Sequence, residues 1–153
     1  MPVLVVATVA FGCGGGPDKQ APSKADYIAL GDVICKNHQS RREDLESQTL
    51  GLGPLSSEGK AHQVADLLRM QSDNLTAETQ ELAALQQPPA DAGTVESILS
   101  LDRAKASLTD DWAKAYDDLD TAEMRRLQIR IGVATAKARD RARAYGFKVC
   151  GQD

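Results

Sequence analysis

Apolar residues recur at steps of three and four positions through most of this chain, the spacing that lines one face of an α-helix. A first helix is predicted to begin near Lys24, because Ser23 and Asp26 match a capping box. Its core face is assigned to Tyr27, Ile28, Leu30, Ile34, Cys35, His38 and Leu45. Its polar face is assigned to Lys36, Arg42, Glu43 and Glu46.

A second helix is predicted over about 58–87. The stretch 50–57 separates it from the first helix, because its glycines and proline break the apolar pattern and its serines supply an N-cap. Pro88-Pro89 ends it, since proline removes an amide donor. The predicted core positions are Ala61, Val64, Leu68, Leu75, Leu82 and Leu85, with polar gaps at Gln71 and Glu78.

The last third of the chain predicts two more helices. Asp91 or Thr94 caps the third, and residues 120–123 match a second capping box, which places a break near Leu119. Gly146 is expected to end the fourth helix, with Phe147 folding back against it. The predicted core positions are Val95, Ile98, Leu99, Trp112, Tyr116 and Leu119 in the third helix, and Met124, Leu127, Ile131, Ala134, Ala138 and Tyr145 in the fourth.

Four amphipathic helices with short connections predict an all-α fold, an antiparallel up-and-down four-helix bundle over residues 23–153. The composition agrees, because only 4% of the 153 residues are aromatic, too few for a typical sandwich or barrel. One ordinary core suffices for a chain of this length.

The first 22 residues differ from the rest of the chain in composition and do not continue the helical pattern. The apolar run 3–11 is too short to span a bilayer but has the length of the apolar region of a signal peptide. Gly12 and Cys13 end it, and a segment rich in Gly and Pro follows, which predicts a flexible tether. Residues 1–12 are therefore interpreted as a signal peptide and 13–22 as the tether, although no Lys or Arg precedes the apolar run.

The stretch Ala10-Phe11-Gly12-Cys13 resembles the lipobox of bacterial lipoproteins, with Phe11 bulkier than the residue usual at its position. The resemblance implies cleavage before Cys13 and attachment of lipid to its sulfur. Two or three acyl chains on one residue anchor a protein stably. The expected location is then the extracytoplasmic face of the cell membrane, with the membrane as a partner through Cys13.

With Cys13 assigned to lipid, Cys35 and Cys150 remain, and outside the cytoplasm they are expected to form a disulfide. The competing interpretation is a metal site that combines both cysteines with His38 and His62. No CxxC or HxxxH spacing supports that site, and we predict no metal and no cofactor.

The lipobox, the cysteine in the first helix, the Pro-Pro turn and the ending Tyr-Gly-Phe-Lys-Val-Cys-Gly together look similar to small uncharacterised envelope lipoproteins of high-GC Gram-positive bacteria. The similarity implies an envelope location and carries no activity.

Charge is unevenly distributed along the chain. The net charge of -4 gives no reason to expect a nucleic-acid partner. The fourth helix is nonetheless basic, and Arg126, Arg130, Lys137 and Arg141 form a candidate anion-binding face for an anionic envelope component. The plainer interpretation is that basic and acidic helices are solvated neighbours, with each exposed pair worth about 0–1 kcal/mol.

The sequence contains no recognisable catalytic motif, neither a GxSxG elbow nor a calcium-loop register, and we predict that the protein is not an enzyme. The leading hypothesis is a non-enzymatic binding module for an envelope protein or another envelope component. The alternative is a carrier of a small hydrophobic ligand or haem near His38, Trp112 and Tyr116. A hollow core would favour the carrier, whereas a filled core with an exposed groove would favour the module.

Overall fold

A computed structural model describes residues 21–53 and 57–152 and confirms the all-α antiparallel four-helix bundle. The helices are α1 (Lys24–Gly51), α2 (Glu58–Ala84), α3 (Ala92–Asp117) and α4 (Thr121–Tyr145), and a 3-10 turn over Pro89–Asp91 precedes α3. The signal peptide, Cys13 and the tether as far as residue 20 lie outside the described residues. Within that described part, no helix has both the length and the apolar composition required to cross a membrane.

Local capping signals set the starts of α1 and α4 and the end of α4, as predicted, whereas Asp91 at the start of α3 makes no side-chain capping hydrogen bond. Ser23 and Asp26 form the complete capping box of α1. The Asp120 carboxylate accepts the backbone N–H groups of residues 122 and 123 at the start of α4. At the other end of α4, Gly146 has φ 121°, and its N–H and that of Phe147 donate to carbonyl oxygens of the last turn. This is a Schellman motif, in which a left-handed residue satisfies carbonyls that the helix leaves unpaired.

The apolar core is divided into two clusters at opposite ends of the bundle. The first, near the start of α1, contains Tyr27, Cys35, Leu82, Val95, Ile98, Leu99, Ala142, Tyr145 and Phe147. The second, near the end of α1, contains Val64, Ala65, Leu68 and Ala113, with Leu52, Trp112 and Tyr116 packed against them. Between the two clusters, the buried Leu75 and Ala106 alternate with polar and charged side chains, among them Arg42 and Thr109.

For three residues, the predicted burial or exposure of the side chain is wrong. Leu30 is 52% exposed, whereas Arg42, assigned to the polar face, is only 7% exposed. The stripe of α1 that faces the core is therefore shifted, and it contains Tyr27, Gly31, Cys35, Arg42 and Leu45. Gly31 allows this shift, because a Cβ there would lie 2.5 Å from Phe147 Cε1. Leu119 follows α3 in a left-handed conformation (φ 54°) and is 48% exposed.

The chain after α4 folds back onto α1 and is held there twice. Cys35 and Cys150 form a disulfide with a Cα–Cα distance of 5.2 Å, as predicted. Beside it, the Asp32 carboxylate accepts backbone N–H groups of Lys148 and Val149 at 2.8–3.1 Å. The two attachments connect α1 to α4 at the end of the bundle that contains the first apolar cluster.

Removing this disulfide should destabilise the bundle strongly. A cross-link that closes a loop of 115 residues restricts the unfolded chain, and the chain-entropy model puts its contribution near 4.7 kcal/mol. We expect the double substitution Cys35→Ser and Cys150→Ser, made in a Cys13→Ser chain, to lower the free energy of unfolding by several kcal/mol in urea titrations. The Cys13→Ser chain alone is the control. An unchanged urea midpoint in the triple variant would contradict the structural role of the disulfide.

Candidate functional site

Five charged residues lie in the middle of the bundle, between the two apolar clusters, and we call them the charged layer. They are Arg42, Glu78, Asp102, Lys105 and Arg139, they come from all four helices, and all of them line one small cavity of about 30 Å³. Arg42 Nη1 donates to Glu78 Oε2 at 2.5 Å, and both side chains are nearly buried. Charges taken out of water are tolerated only when they are paired and hydrogen-bonded.

The helical pattern itself places these charges inside. Arg42 lies two turns after Cys35 and one turn before Leu45, so it shares their face. Glu78 occupies the polar gap between Leu75 and Leu82 that the sequence already indicated on the core face of α2. Charged residues at core positions therefore meet the charges of neighbouring helices rather than water.

The Asp102 carboxyl of the charged layer has a strongly shifted pKa. Burial, and secondly the negative charge of Glu78, raise the pKa of its carboxyl to about 6. Lys105 and Arg42 act in the opposite direction but do not cancel this effect. Asp102 therefore changes charge between pH 5 and 7, which few carboxyl groups do.

A larger pocket of about 560 Å³ opens from the charged layer along the seam between α1 and α4. Within the described ranges, close backbone packing joins successive helices, whereas α1 and α4 approach each other at isolated points at most. The pocket and the small cavity share Arg42, Leu75, Lys105 and Thr135. We call this larger cavity the α1–α4 pocket.

The α1–α4 pocket changes from charged to apolar along its length. Arg42, Glu46 and Lys105 mark its charged end, and Leu50, Leu68 and Trp112 mark the other. Arg42 and Leu50 are eight positions apart on α1, which corresponds to about 12 Å along the axis. The Nε1 atom of Trp112 is buried and has no hydrogen-bond partner within the described part of the chain.

The structure does not bring together the three residues proposed for the carrier. The His38 ring contacts Asn74 Oδ1 (2.9 Å) and Glu81 Oε1 (3.1 Å) on α2. Trp112 and Tyr116 instead pair edge to face, with ring centroids 5.6 Å apart, against the second apolar cluster. Trp112 lines the α1–α4 pocket, and His38 does not.

The predicted anion-binding face lies on the outer side of α4. Arg126 there binds Glu123 through two hydrogen bonds of 2.6 Å, so part of its charge is neutralised. The remaining members, Arg130, Lys137 and Arg141, are exposed and make no ion-pair contact with any described residue. Two exposed apolar residues, Ile129 and Val133, lie on the same outer side.

The cysteines of the competing metal site are not available as metal ligands. Cys35 and Cys150 are joined to each other, so neither supplies a thiolate. His62 is exposed, as expected, and hydrogen-bonds Asp117 at 2.9 Å, which raises the pKa of the imidazole. In the two described ranges, no group of three or more His, Cys, Asp or Glu side chains is arranged to hold a metal ion.

Sequence reasoning missed the charged layer, although a signal was present. Asp102 is one of the acidic residues of α3, a helix whose charges the plainer interpretation places in solvent, yet it lies one turn after Ile98 and one turn before Ala106, both buried. Sorting charges by helix face rather than by helix would have placed Asp102 and Arg42 toward the core.

Replacing Asp102 should change the pH dependence of stability. The native state binds a proton at Asp102 more tightly than the unfolded chain does, so this residue lowers stability as pH rises from about 4 to 7. We expect Asp102→Asn to gain stability relative to the wild type over that interval, by up to about 3 kcal/mol, in urea unfolding measured at each pH. The exposed Asp73→Asn is the matched control. Parallel pH profiles of the wild type and Asp102→Asn would contradict this role.

Comparison of the chain with protein-family models, with curated proteins and with solved structures found no match.

Proposed function

We propose that this chain is a lipid-anchored, non-enzymatic binding module of the bacterial cell envelope, held at the extracytoplasmic face of the cell membrane through Cys13. The observation that carries the binding role is the α1–α4 pocket, whose charged and apolar ends are both fixed by the bundle. Its volume of about 560 Å³ lies within the roughly 300–1,000 Å³ usual for small-molecule sites.

The lining of the pocket supports binding rather than catalysis. The described residues around it include no histidine, cysteine or serine, the commonest nucleophiles. They include leucines, an isoleucine, threonine hydroxyls and three charged side chains, Arg42, Glu46 and Lys105. Glu46 is the single carboxylate among these described residues, so the lining holds no carboxylate pair for acid–base catalysis.

The membrane role rests on the leader sequence and on the position of the domain. Ser23, the N-cap of α1, is ten positions after Cys13, so the chain between them can span at most about 35 Å. A lipid at Cys13 would keep the bundle close to the headgroups.

The outer face of α4 is suited to the same membrane. The helix contains seven basic and two acidic residues, although the chain as a whole is acidic. Arg130 and Lys137 flank the exposed Ile129 and Val133, a combination that favours an anionic lipid surface. This face would orient the anchored domain on anionic lipids.

A carrier of a small hydrophobic ligand remains the second candidate, because the apolar end of the α1–α4 pocket would suit such a ligand. Haem is less well supported, since both His38 nitrogens contact side chains of α2 and His38 lies outside that pocket.

Cys13→Ser should release the protein from envelope membranes, because it removes the sulfur that would carry the lipid. We expect the unaltered chain to sediment with membranes in both low and high salt, and the variant to be retained only weakly and only in low salt. Quantitative immunoblotting of membrane and soluble fractions measures this retention. Unchanged retention of Cys13→Ser in high salt would refute the lipid anchor.

The residual retention in low salt tests the α4 face separately. Adding Arg130→Glu and Lys137→Glu to Cys13→Ser should abolish it, because both exposed cations are reversed. Lys36→Glu and Arg41→Glu, two exposed basic positions on α1, form the matched control pair. Equal losses with both pairs would contradict a specific role of α4.

A further inference from the structure

An open groove of about 470 Å³ runs along the outer seam between α3 and α4, and we call it the α3–α4 groove. It shares no lining residue with the α1–α4 pocket. The sequence assigned two of its residues to an anion-binding face, and the structure adds groups of α3 beside them. The described residues that line it are Ser97, Ser100, Leu101, Lys137, Asp140 and Arg141.

Positive charge exceeds negative charge in the α3–α4 groove. Lys137 and Arg141 are exposed and make no ion pair with any described residue. Asp140 is the single carboxylate among the described lining residues, and one of its oxygens lies 4.0 Å from Arg139 Nε outside the groove. With Asp140 counted in full, the lining still carries one net positive charge.

The α3 side of the groove contributes hydroxyl groups rather than acids. Ser97 is half-buried, and its hydroxyl makes no hydrogen bond with any described residue. The Ser100 hydroxyl donates to the Ser97 backbone oxygen at 2.9 Å. Glu96, which precedes Ser97, is paired with Arg103 at 2.6 Å and therefore does not offset the cations of α4. A free O–H donor beside two cations is suited to an oxyanion.

A singly charged phosphodiester fits this set of groups. The Arg141 guanidinium offers parallel N–H donors that match two phosphate oxygens, and Lys137 supplies a second positive charge. The Ser97 hydroxyl is available to a further oxygen. The single charge of a phosphodiester equals the net charge of the lining, whereas Asp140 would repel the second charge of a phosphate monoester.

Apolar side chains continue the same side of α4 beyond the groove. Ile129 and Val133 are exposed, and they precede Lys137 and Arg141 at steps of four positions, which place side chains on one side of a helix. The row from Ile129 to Arg141 extends about 18 Å along the axis. Apolar residues at one end and cations at the other suit the boundary between acyl chains and headgroups, which favours a phospholipid over a soluble phosphodiester.

We infer that the α3–α4 groove binds the phosphodiester of an anionic phospholipid headgroup through Lys137, Arg141 and Ser97, while Ile129 and Val133 meet the acyl-chain boundary. This inference rests on the membrane role proposed above and adds the lipid group that the domain recognises. The outer side of α4 would then lie along the membrane in one fixed orientation.

The test measures binding to vesicles by cosedimentation, with the full chain carrying Cys13→Ser so that no acyl anchor contributes. Vesicles of phosphatidylcholine that contain phosphatidylglycerol present the anionic phosphodiester, and pure phosphatidylcholine vesicles give the baseline. We expect affinity at least about tenfold above that baseline, because two cations meet an anionic surface. Soluble glycerophosphoglycerol, the same headgroup without acyl chains, should not displace the protein at an equal phosphate concentration.

Matched pairs of cations on α4 locate the site. Lys137→Gln combined with Arg141→Gln should lower the affinity for phosphatidylglycerol vesicles about thirtyfold. Arg125→Gln combined with Arg130→Gln removes the same charge from exposed positions outside the groove, and should lower the affinity no more than about fivefold. Helical circular dichroism verifies that each variant is folded.

The α3 side of the groove is tested by a hydroxyl that carries no charge. Ser97→Ala should lower the affinity about threefold, since one hydrogen bond to the phosphate is lost. Ser107→Ala, an exposed serine of α3 outside the groove, is the control and should bind as the parent does.

The outcomes separate this inference from the proposed function. Equal losses from the two cation pairs would overturn the phosphate site while leaving a diffuse basic face. Unchanged affinity in folded Ser97→Ala would overturn the part assigned to α3. Displacement by glycerophosphoglycerol would overturn the phospholipid as occupant. No binding above the phosphatidylcholine baseline would remove both the site and the α4 face as a membrane contact, whereas the lipid anchor at Cys13 would stand.

Discussion

The ion pair between Arg42 and Glu78 lies where a four-helix bundle normally has its driest packing. Both side chains are nearly buried, and they belong to the charged layer, which lies between the two apolar clusters beside the buried Leu75. Removing such charges from water is expensive, so each must find a partner of opposite sign, and the four helices are held at the rotations that allow this. The placement of α1 agrees with that requirement, because Arg42 faces the interior beside Glu78 while Leu30 is 52% exposed.

The charged layer also gives the two ends of the bundle different properties. At one end, the disulfide, the Asp32 contacts and the first apolar cluster join the tail to α1. At the other end nothing comparable joins α1 to α4 in the described part of the chain, and the α1–α4 pocket opens there. The closed end is held by a covalent bond and by backbone hydrogen bonds, while the open end contains the α1–α4 pocket. The binding role proposed above rests on this difference between the two ends.

Features of this fold that depend on residues close together in the chain were predictable from the sequence, whereas features that depend on distant residues were not. Ser23, Asp120 and Gly146 act on backbone within a few residues, so the helix ends were predictable. The Cys35–Cys150 disulfide was predictable as well, because only two cysteines remained after Cys13 was assigned. Arg42 and Glu78 are 36 positions apart, and neither residue alone indicates its partner. The buried position of Arg42 also depends on Phe147 packing beside Gly31, a tertiary contact that helical periodicity does not contain.

The central claim is that Arg42 and Glu78 stabilise each other inside the bundle and are tolerated there as a pair. A double-mutant cycle measured by urea unfolding tests it most directly, with Arg42→Met, Glu78→Leu and the two combined. Each single substitution leaves a buried charge without its main partner, and we expect each to cost about 3–5 kcal/mol. The account predicts that the double variant loses much less than the sum of the two single losses. Additive losses would contradict it.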